Sequence, residues 1–213
     1  MSEHQTYDIR ILVIDNYDSF VYNLVQYVGT FADEVIVRRN DAITIPEIKK
    51  LDPDGIIVSP GPGTPSDAGV TMDVFDALSR PILGVCLGHQ GLCATHGVPV
   101  RHAPEVVHGK PSVIEHDGAG LFKGLPERIQ VGRYHSLAVD RDELPDELIE
   151  TARTVDRSQE IQMGVRHREH PHFGVQFHPE SILTGKTNGT DETSLSIGHH
   201  FVKRLCQYAI DHE

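Results

Sequence analysis

Three short apolar runs do most to constrain the fold: IRILVID (9–15), DGIIVS (54–59) and PILGVC (81–86). Each has the length of a strand and is apolar without alternation, the pattern of a strand buried on both faces. Each runs into a turn rich in glycine, proline or Asx residues, and a helix pattern follows. After the first run, Ser19 is expected to cap a helix in SFVYNLVQYVGTF (19–31), with Phe20, Leu24 and Tyr27 at helical spacing. EVIVRR (34–39) reads as a short strand and 44–51 as a short helix. The turn PGPGTPSD (60–67) precedes a helix over 68–79, and another helix begins near Leu87.

This β-α repetition implies a mostly parallel sheet with right-handed crossovers and helices on both faces, an α/β three-layer sandwich of the flavodoxin-like kind. The second half reads differently. Segments such as VGRYHSLAV (131–139) and HFGVQFH (172–178) lie between polar turns and are expected to add a few antiparallel strands. A polar loop from Thr184 to Ser194 leads to a final amphipathic helix over 195–210. With no internal repeat and no dividing linker, residues 1–213 read as a single domain, with 1–7 as a flexible tail. A chain of 213 residues can bury a sizeable core.

Charge and cysteine content narrow the function. A formal net charge of −12 repels nucleic acid and anionic membranes, so neither is expected as a partner. Only six of the basic residues are lysine, which suits a surface adapted to high salt and equally an ordinary acidic enzyme. No apolar run is long enough to span a bilayer, and MSEHQTYD lacks the pattern of a signal peptide, so a cytoplasmic location is expected. Three cysteines, Cys86, Cys93 and Cys206, do not make a disulfide framework and are expected to be free.

One of them stands in an unusual place. GVCLG (84–88) has the spacing of a nucleophile elbow with sulfur in place of oxygen. Glycines on both sides permit a tight strand-to-helix turn, and the helix that follows offers free N–H groups and a positive dipole end to a thiolate. A buried structural cysteine beside a glycine turn is the alternative. A thiolate nucleophile needs a proton carrier, and fourteen histidines are available. His178 is distinguished by the Pro179-Glu180 that follows: proline favours an extended His178, from which Glu180 projects to the same side and can reach the imidazole. The result would be a Cys86-His178-Glu180 relay. His89, three residues after Cys86, is the competing base. The histidine-rich HREHPHFGVQFH (167–178) lacks zinc-ligand spacing, so no metal is expected.

Taken together, DNYDSFVYNL, SPGPG, GVCLGHQ and QFHPES, in this order along the chain, resemble the class I (triad-type) glutamine amidotransferases. Within them the resemblance is closest to the small glutaminase subunit (component II) of anthranilate synthase and its relative in aminodeoxychorismate synthase. It implies that Cys86 attacks the side-chain amide of L-glutamine, that His178 serves as acid and base, and that Glu180 orients His178. A γ-glutamyl thioester is the implied intermediate. The oxyanion donors would be the N–H groups of Gly61, Gly63 and Leu87, since Pro60 and Pro62 have none. Gln90, Ser136 and Leu137 would bind the glutamine head group beside the Gly61-Pro62-Gly63 loop.

The resemblance further implies a large chorismate-binding subunit that receives the ammonia for tryptophan biosynthesis, or for folate in the alternative. It implies no cofactor in this chain and Mg²⁺ in the partner. The NYDSF loop (16–20) is a candidate contact with that partner, or an Asx-type turn before the first helix. The NYDSF start and the serine after HPE point toward the chorismate enzymes rather than the GMP synthetase glutaminase. Outside that class stand a γ-glutamyl hydrolase acting alone and a regulatory module that has lost activity; the complete Cys86, His178 and Glu180 set weighs against the second. The 184–194 loop is longer and more polar than the family's usual return to the last helix and carries no assigned role.

Overall fold

In the first strand, β1 (Tyr7–Asp15), Ile9, Ile11 and Val13 join one buried cluster while Leu12 and Ile14 join the other. Successive side chains thus enter opposite cores, as an apolar run without alternation demands. The computed structural model describes residues 6–103, 106–155, 160–185 and 195–212. The strand begins at Tyr7, whose N–H donates to the Phe31 carbonyl, inside the stretch expected as a tail.

There follow α1 (Val21–Val28), β2 (Ala32–Arg39), α2 (Ile45–Leu51), β3 (Gly55–Val58), α3 (Thr71–Ala77), β4 (Ile82–Val85) and α4 (Leu87–Thr95). The second half holds β5 (Val100–His102), β6 (Lys110–His116), β7 (Arg128–Arg133), β8 (Leu137–Val139), β9 (Leu148–Thr154), β10 (Gln162–His167), β11 (His172–Val175) and α5 (Leu195–Asp211). Among the described residues, nine strands form one sheet in the order β2-β1-β3-β4-β11-β10-β9-β6-β7, and β5 pairs with β8 beside it. The strands from β2 to β11 are parallel, while β10, β9, β6 and β7 are joined by antiparallel pairing. The three-layer α/β architecture is therefore present, with α1 and α5 packed on one face and α2, α3 and α4 on the other.

Local chemistry explains the shorter elements. Thr44 and Glu47 close a capping box on α2, and Asp52 ends that helix in the left-handed conformation at φ 47°. In the α5 layer Phe201 packs edge-on against Phe122 and Phe177, with ring centroids 5.1 and 5.4 Å away. Burial of each such ring contributes about 1.5–3 kcal/mol.

Some expectations fail in instructive ways. Ser19 does not cap α1: Phe20 occupies the cap position without a side-chain bond, and Phe20 is 55% exposed instead of core-facing. Asp15 is the residue that stabilises this turn, accepting the Asp18 N–H, and the helix starts only at Val21 with Val21, Leu24, Tyr27 and Val28 inward. The helix expected from residue 68 starts at Thr71, because a short 3₁₀ turn, Pro65–Asp67, comes first. The HFGV segment does not simply flank the sheet. As β11 it lies parallel to β4 and antiparallel to β10, and so joins the two halves. Of the 184–194 loop, residues 186–194 lie outside the described residues. No described helix is long and apolar enough to cross a membrane.

At the sheet edge where β4 and β11 begin, His96, His167, His170 and His172 gather, with neighbouring ring centroids 4.7–5.3 Å apart. His172 is 1% exposed, and burial first, then His170 and His167, push its pKa down to about 3. Burial also lowers His96 and His167, against the raising influence of Glu147 on both, Asp76 on His96 and Glu169 on His167. His96, His167 and His172 are held below their unfolded value near 6.5, so the stability they contribute is present above about 6.5 and lost as pH falls. Thermal melting between pH 7 and 4 should show a progressive drop below about pH 6.5, and His172→Phe should flatten part of it. A melting temperature unchanged across that range would contradict this.

Candidate active site

The parallel strands β1, β3, β4 and β11 all end at one edge of the sheet, and there the motif residues converge on an open cleft of about 640 Å³. Cys86 leaves β4 at φ 51° and ψ −98°, a conformation that costs a non-glycine residue about 1–3 kcal/mol. Its N–H donates to the Val175 carbonyl at 2.8 Å and its carbonyl accepts the Gln90 N–H at 3.0 Å, which launches α4. The flanking glycines are required by space. A Cβ on Gly84 would overlap the Gly88 carbonyl, and one on Gly88 would overlap the Val58 carbonyl. The sulfur is thereby presented to the cleft, as a nucleophile elbow requires.

His178 arrives from the end of the β11 segment and is fixed from several sides. Its N–H donates to the Gly132 carbonyl at 3.1 Å, an isolated bridge to β7. Its carbonyl accepts the Ser181 N–H at 3.2 Å and the Thr184 hydroxyl at 2.6 Å. The Thr184 hydroxyl in turn accepts the Gly132 N–H at 3.0 Å. The ring lies edge-on to Tyr134 at 5.0 Å, whose hydroxyl is bonded to Ser181 at 3.0 Å. His178 Nδ1 meets Glu180 Oε1 at 2.6 Å, as expected, although the chain does not run extended from 178 to 180: it turns at Pro179, with the Ser181 N–H closing back on His178. Burial pushes the His178 pKa down, but hydrogen bonds to Cys86 and Glu180 and the negative charge of both outweigh it and hold the imidazolium well above the ordinary histidine range.

The competing candidate, His89, lies away from the cleft lining. His89 is fully buried, pushed down to about 4 by desolvation, and its ring lies in space left by Gly174. The Gly61-Pro62-Gly63 loop lines the cleft with Cys86, and Gly61 must be glycine because a Cβ would strike the Asn16 carbonyl. Leu87 is buried at the start of α4 and is not among the residues that line the cleft. Gln90, Ser136 and Leu137 do line it, with Gln90 donating to the Leu137 carbonyl. The NYDSF loop divides: Asn16 is buried and bonded to Ser59, Asn40 and Thr71, whereas Tyr17 and Phe20 are exposed on the cleft rim.

Several residues at the cleft have no catalytic or substrate-binding role in the sequence reading. Gln176, fully buried, donates from Nε2 to Cys86 Sγ at 3.5 Å. Thr184 and Tyr134 hold His178, and Asp18, whose carboxyl is raised by burial and by Glu180, faces the same cleft. Residue alternation in QFH was the available signal for Gln176, since positions 176 and 178 share one side of a strand. An elbow thiol and a carboxylate-oriented imidazole opening on one cleft can form and hydrolyse an acyl-sulfur bond.

Residues 12–192 match the model of the family "Glutamine amidotransferase class-I". The chain is 68% identical over 174 residues to anthranilate synthase component II of Haloarcula marismortui, covering 82% of this chain and 90% of that one. It is 49% identical to the aminodeoxychorismate/anthranilate synthase component 2 of Bacillus subtilis, over 82% and 89% of the two chains. Its fold is similar to the crystal structure of a putative GMP synthase protein from Thermoplasma acidophilum, with a TM-score of 0.79 at 23% identity over 98% and 100% of the two chains.

Replacing Glu180 by Gln removes the charge that helps to raise His178. Histidine NMR titration of the Glu180→Gln variant should place the His178 pKa lower than in the unaltered chain. An identical titration in both would show that Glu180 does not act on the ring.

Proposed function

As the chain belongs to the class I glutamine amidotransferases, we propose that it is the glutaminase subunit of an anthranilate synthase, supplying ammonia for tryptophan biosynthesis. The observation that carries this reading is the Cys86, His178 and Glu180 arrangement opening into a cleft whose rim is exposed and apolar. Cys86 sulfur bonds to the glutamine side-chain carbonyl carbon, and the N–H groups of Gly61, Gly63 and Leu87 hold the oxyanion. The C–N bond then breaks as His178 gives its proton to the departing ammonia. His178 next takes a proton from water, which attacks the γ-glutamyl thioester; the C–S bond breaks and glutamate leaves. Gln90, Ser136, Leu137 and the Gly61-Pro62-Gly63 loop bind the amino-acid head group. Each of these steps is carried by side chains and backbone of this chain, and the Mg²⁺ of the overall reaction is assigned to the chorismate-binding subunit.

Ammonia released to water would be protonated and diluted, so a large synthase subunit must cover the cleft. Tyr17, Phe20 and Ile182, exposed by 52%, 55% and 71%, offer the apolar rim for that contact. The three free thiols, Cys86, Cys93 and Cys206, suit a reducing compartment, and we place the protein in the cytoplasm. A second reading, supply of ammonia for aminodeoxychorismate and folate, is favoured by the relative whose name joins both activities. Which large subunit copurifies with the chain, and which chorismate product the complex makes, separates the two.

Cys86→Ala should abolish glutamine-dependent product formation by the complex while leaving synthesis from added ammonium salts near normal. Glutamine-dependent synthesis surviving in that variant would overturn the mechanism.

A further inference from the structure

The row of amides behind the nucleophile has only one consistent orientation. The Leu137 carbonyl can only accept, so Gln90 must meet it with its NH₂ group, at 3.2 Å. The same NH₂ group lies 3.1 Å from Gln176, which must therefore present Oε1 to it. That choice turns the Gln176 NH₂ group toward Cys86 Sγ, 3.5 Å away. The backbone leaves Gln176 little freedom, because its N–H donates to the Met163 carbonyl at 3.0 Å. The next residue, Phe177, is packed into the apolar core at 0% exposure. Gln176 itself is also fully buried, so water does not compete for its amide.

We propose that Gln176 is a further catalytic residue, an N–H donor to the Cys86 sulfur that favours the thiolate over the thiol. This rests on the glutaminase function proposed above. A thiolate accepts hydrogen bonds more strongly than a thiol, and a donor is most effective in a buried setting. The donor acts at two points of the reaction. It holds the sulfur anion before the C–S bond forms, and it receives that anion again when the thioester C–S bond breaks, so that the expelled sulfur need not draw its proton from His178. The row also starts at Leu137, on the wall assigned to the amino-acid head group, so a ligand there contacts the same hydrogen-bonded chain that ends on the nucleophile.

The test is the rate of iodoacetamide alkylation of Cys86 as a function of pH in the full-length chain, without glutamine. Cys86→Ala gives the background from Cys93 and Cys206. Gln176→Glu keeps the shape and replaces the donor by a carboxylate; Gln176→Met removes donor and charge together. Loss of a hydrogen bond to a charged group corresponds to about a tenfold effect or more. The alkylation midpoint should therefore move up by about one pH unit or more in Gln176→Met and further in Gln176→Glu. The complex's kcat with glutamine should fall in the same order while KM changes less. Thermal melting of each variant identifies a misfolded protein, and if one variant fails to fold the other decides. A folded variant with the unaltered alkylation profile would overturn the assignment. Failure of the unaltered chain to hydrolyse glutamine would overturn the proposed function instead, since the alkylation profile needs no substrate.

Discussion

The backbone of Cys86 is the constraint on which the rest of the site depends. At φ 51° it cannot relax into either the strand before it or the helix after it. It is held by the Val175 carbonyl on its N–H, by the start of α4 on its carbonyl, and by contacts that only Gly84 and Gly88 allow. The strain of about 1–3 kcal/mol is small against the burial of β3, β4 and β11, whose residues on both faces are inaccessible to solvent. A rigid parallel block thus holds one reactive atom at a fixed point on its rim.

Environment then sets the histidines around that atom apart. His89 and His135 are buried close to the site, and desolvation drives them to about 4 and about 3, so both are neutral at physiological pH. His178 is also buried, but it is bonded to Glu180 and faces the Cys86 sulfur's charge, and its pKa moves the other way. Burial alone would lower all three rings; the Cys86 sulfur and the Glu180 carboxylate at 2.6 Å reverse the direction for His178.

The parts legible in the sequence are those set by short-range sterics. Glycine spacing announced the elbow at Cys86, buried apolar runs announced the parallel strands, and Pro179 with Glu180 singled out His178. Parts set by pairing across the fold were not legible. Whether HFGV lay inside or beside the parallel block depended on β4 becoming its neighbour, which no local pattern encodes. Gln176 and Thr184 look like ordinary polar residues until β11 and β7 place them against Cys86 and His178. Ser19 failed as a cap because Asp15, four residues earlier and at the end of β1, already satisfied the turn. Even the correct pairing of His178 with Glu180 was reached through a turn and not through an extended chain.

The sheet also has two edges, and they are guarded differently. Along β2 the exposed side chains are Asp33, Glu34, Arg38 and Arg39, charges that discourage a foreign strand from docking. Part of β7 is instead covered by the segment that carries His178. Gly132 bridges to it, the Gly185 N–H reaches the Gln130 carbonyl, and the Gln130 side chain reaches the Leu183 carbonyl. The stretch that brings His178 to the cleft is therefore also a molecular fender over an otherwise adhesive border. One stretch of eight residues, His178 to Gly185, thus both fixes the imidazole against Glu180 and shields the border.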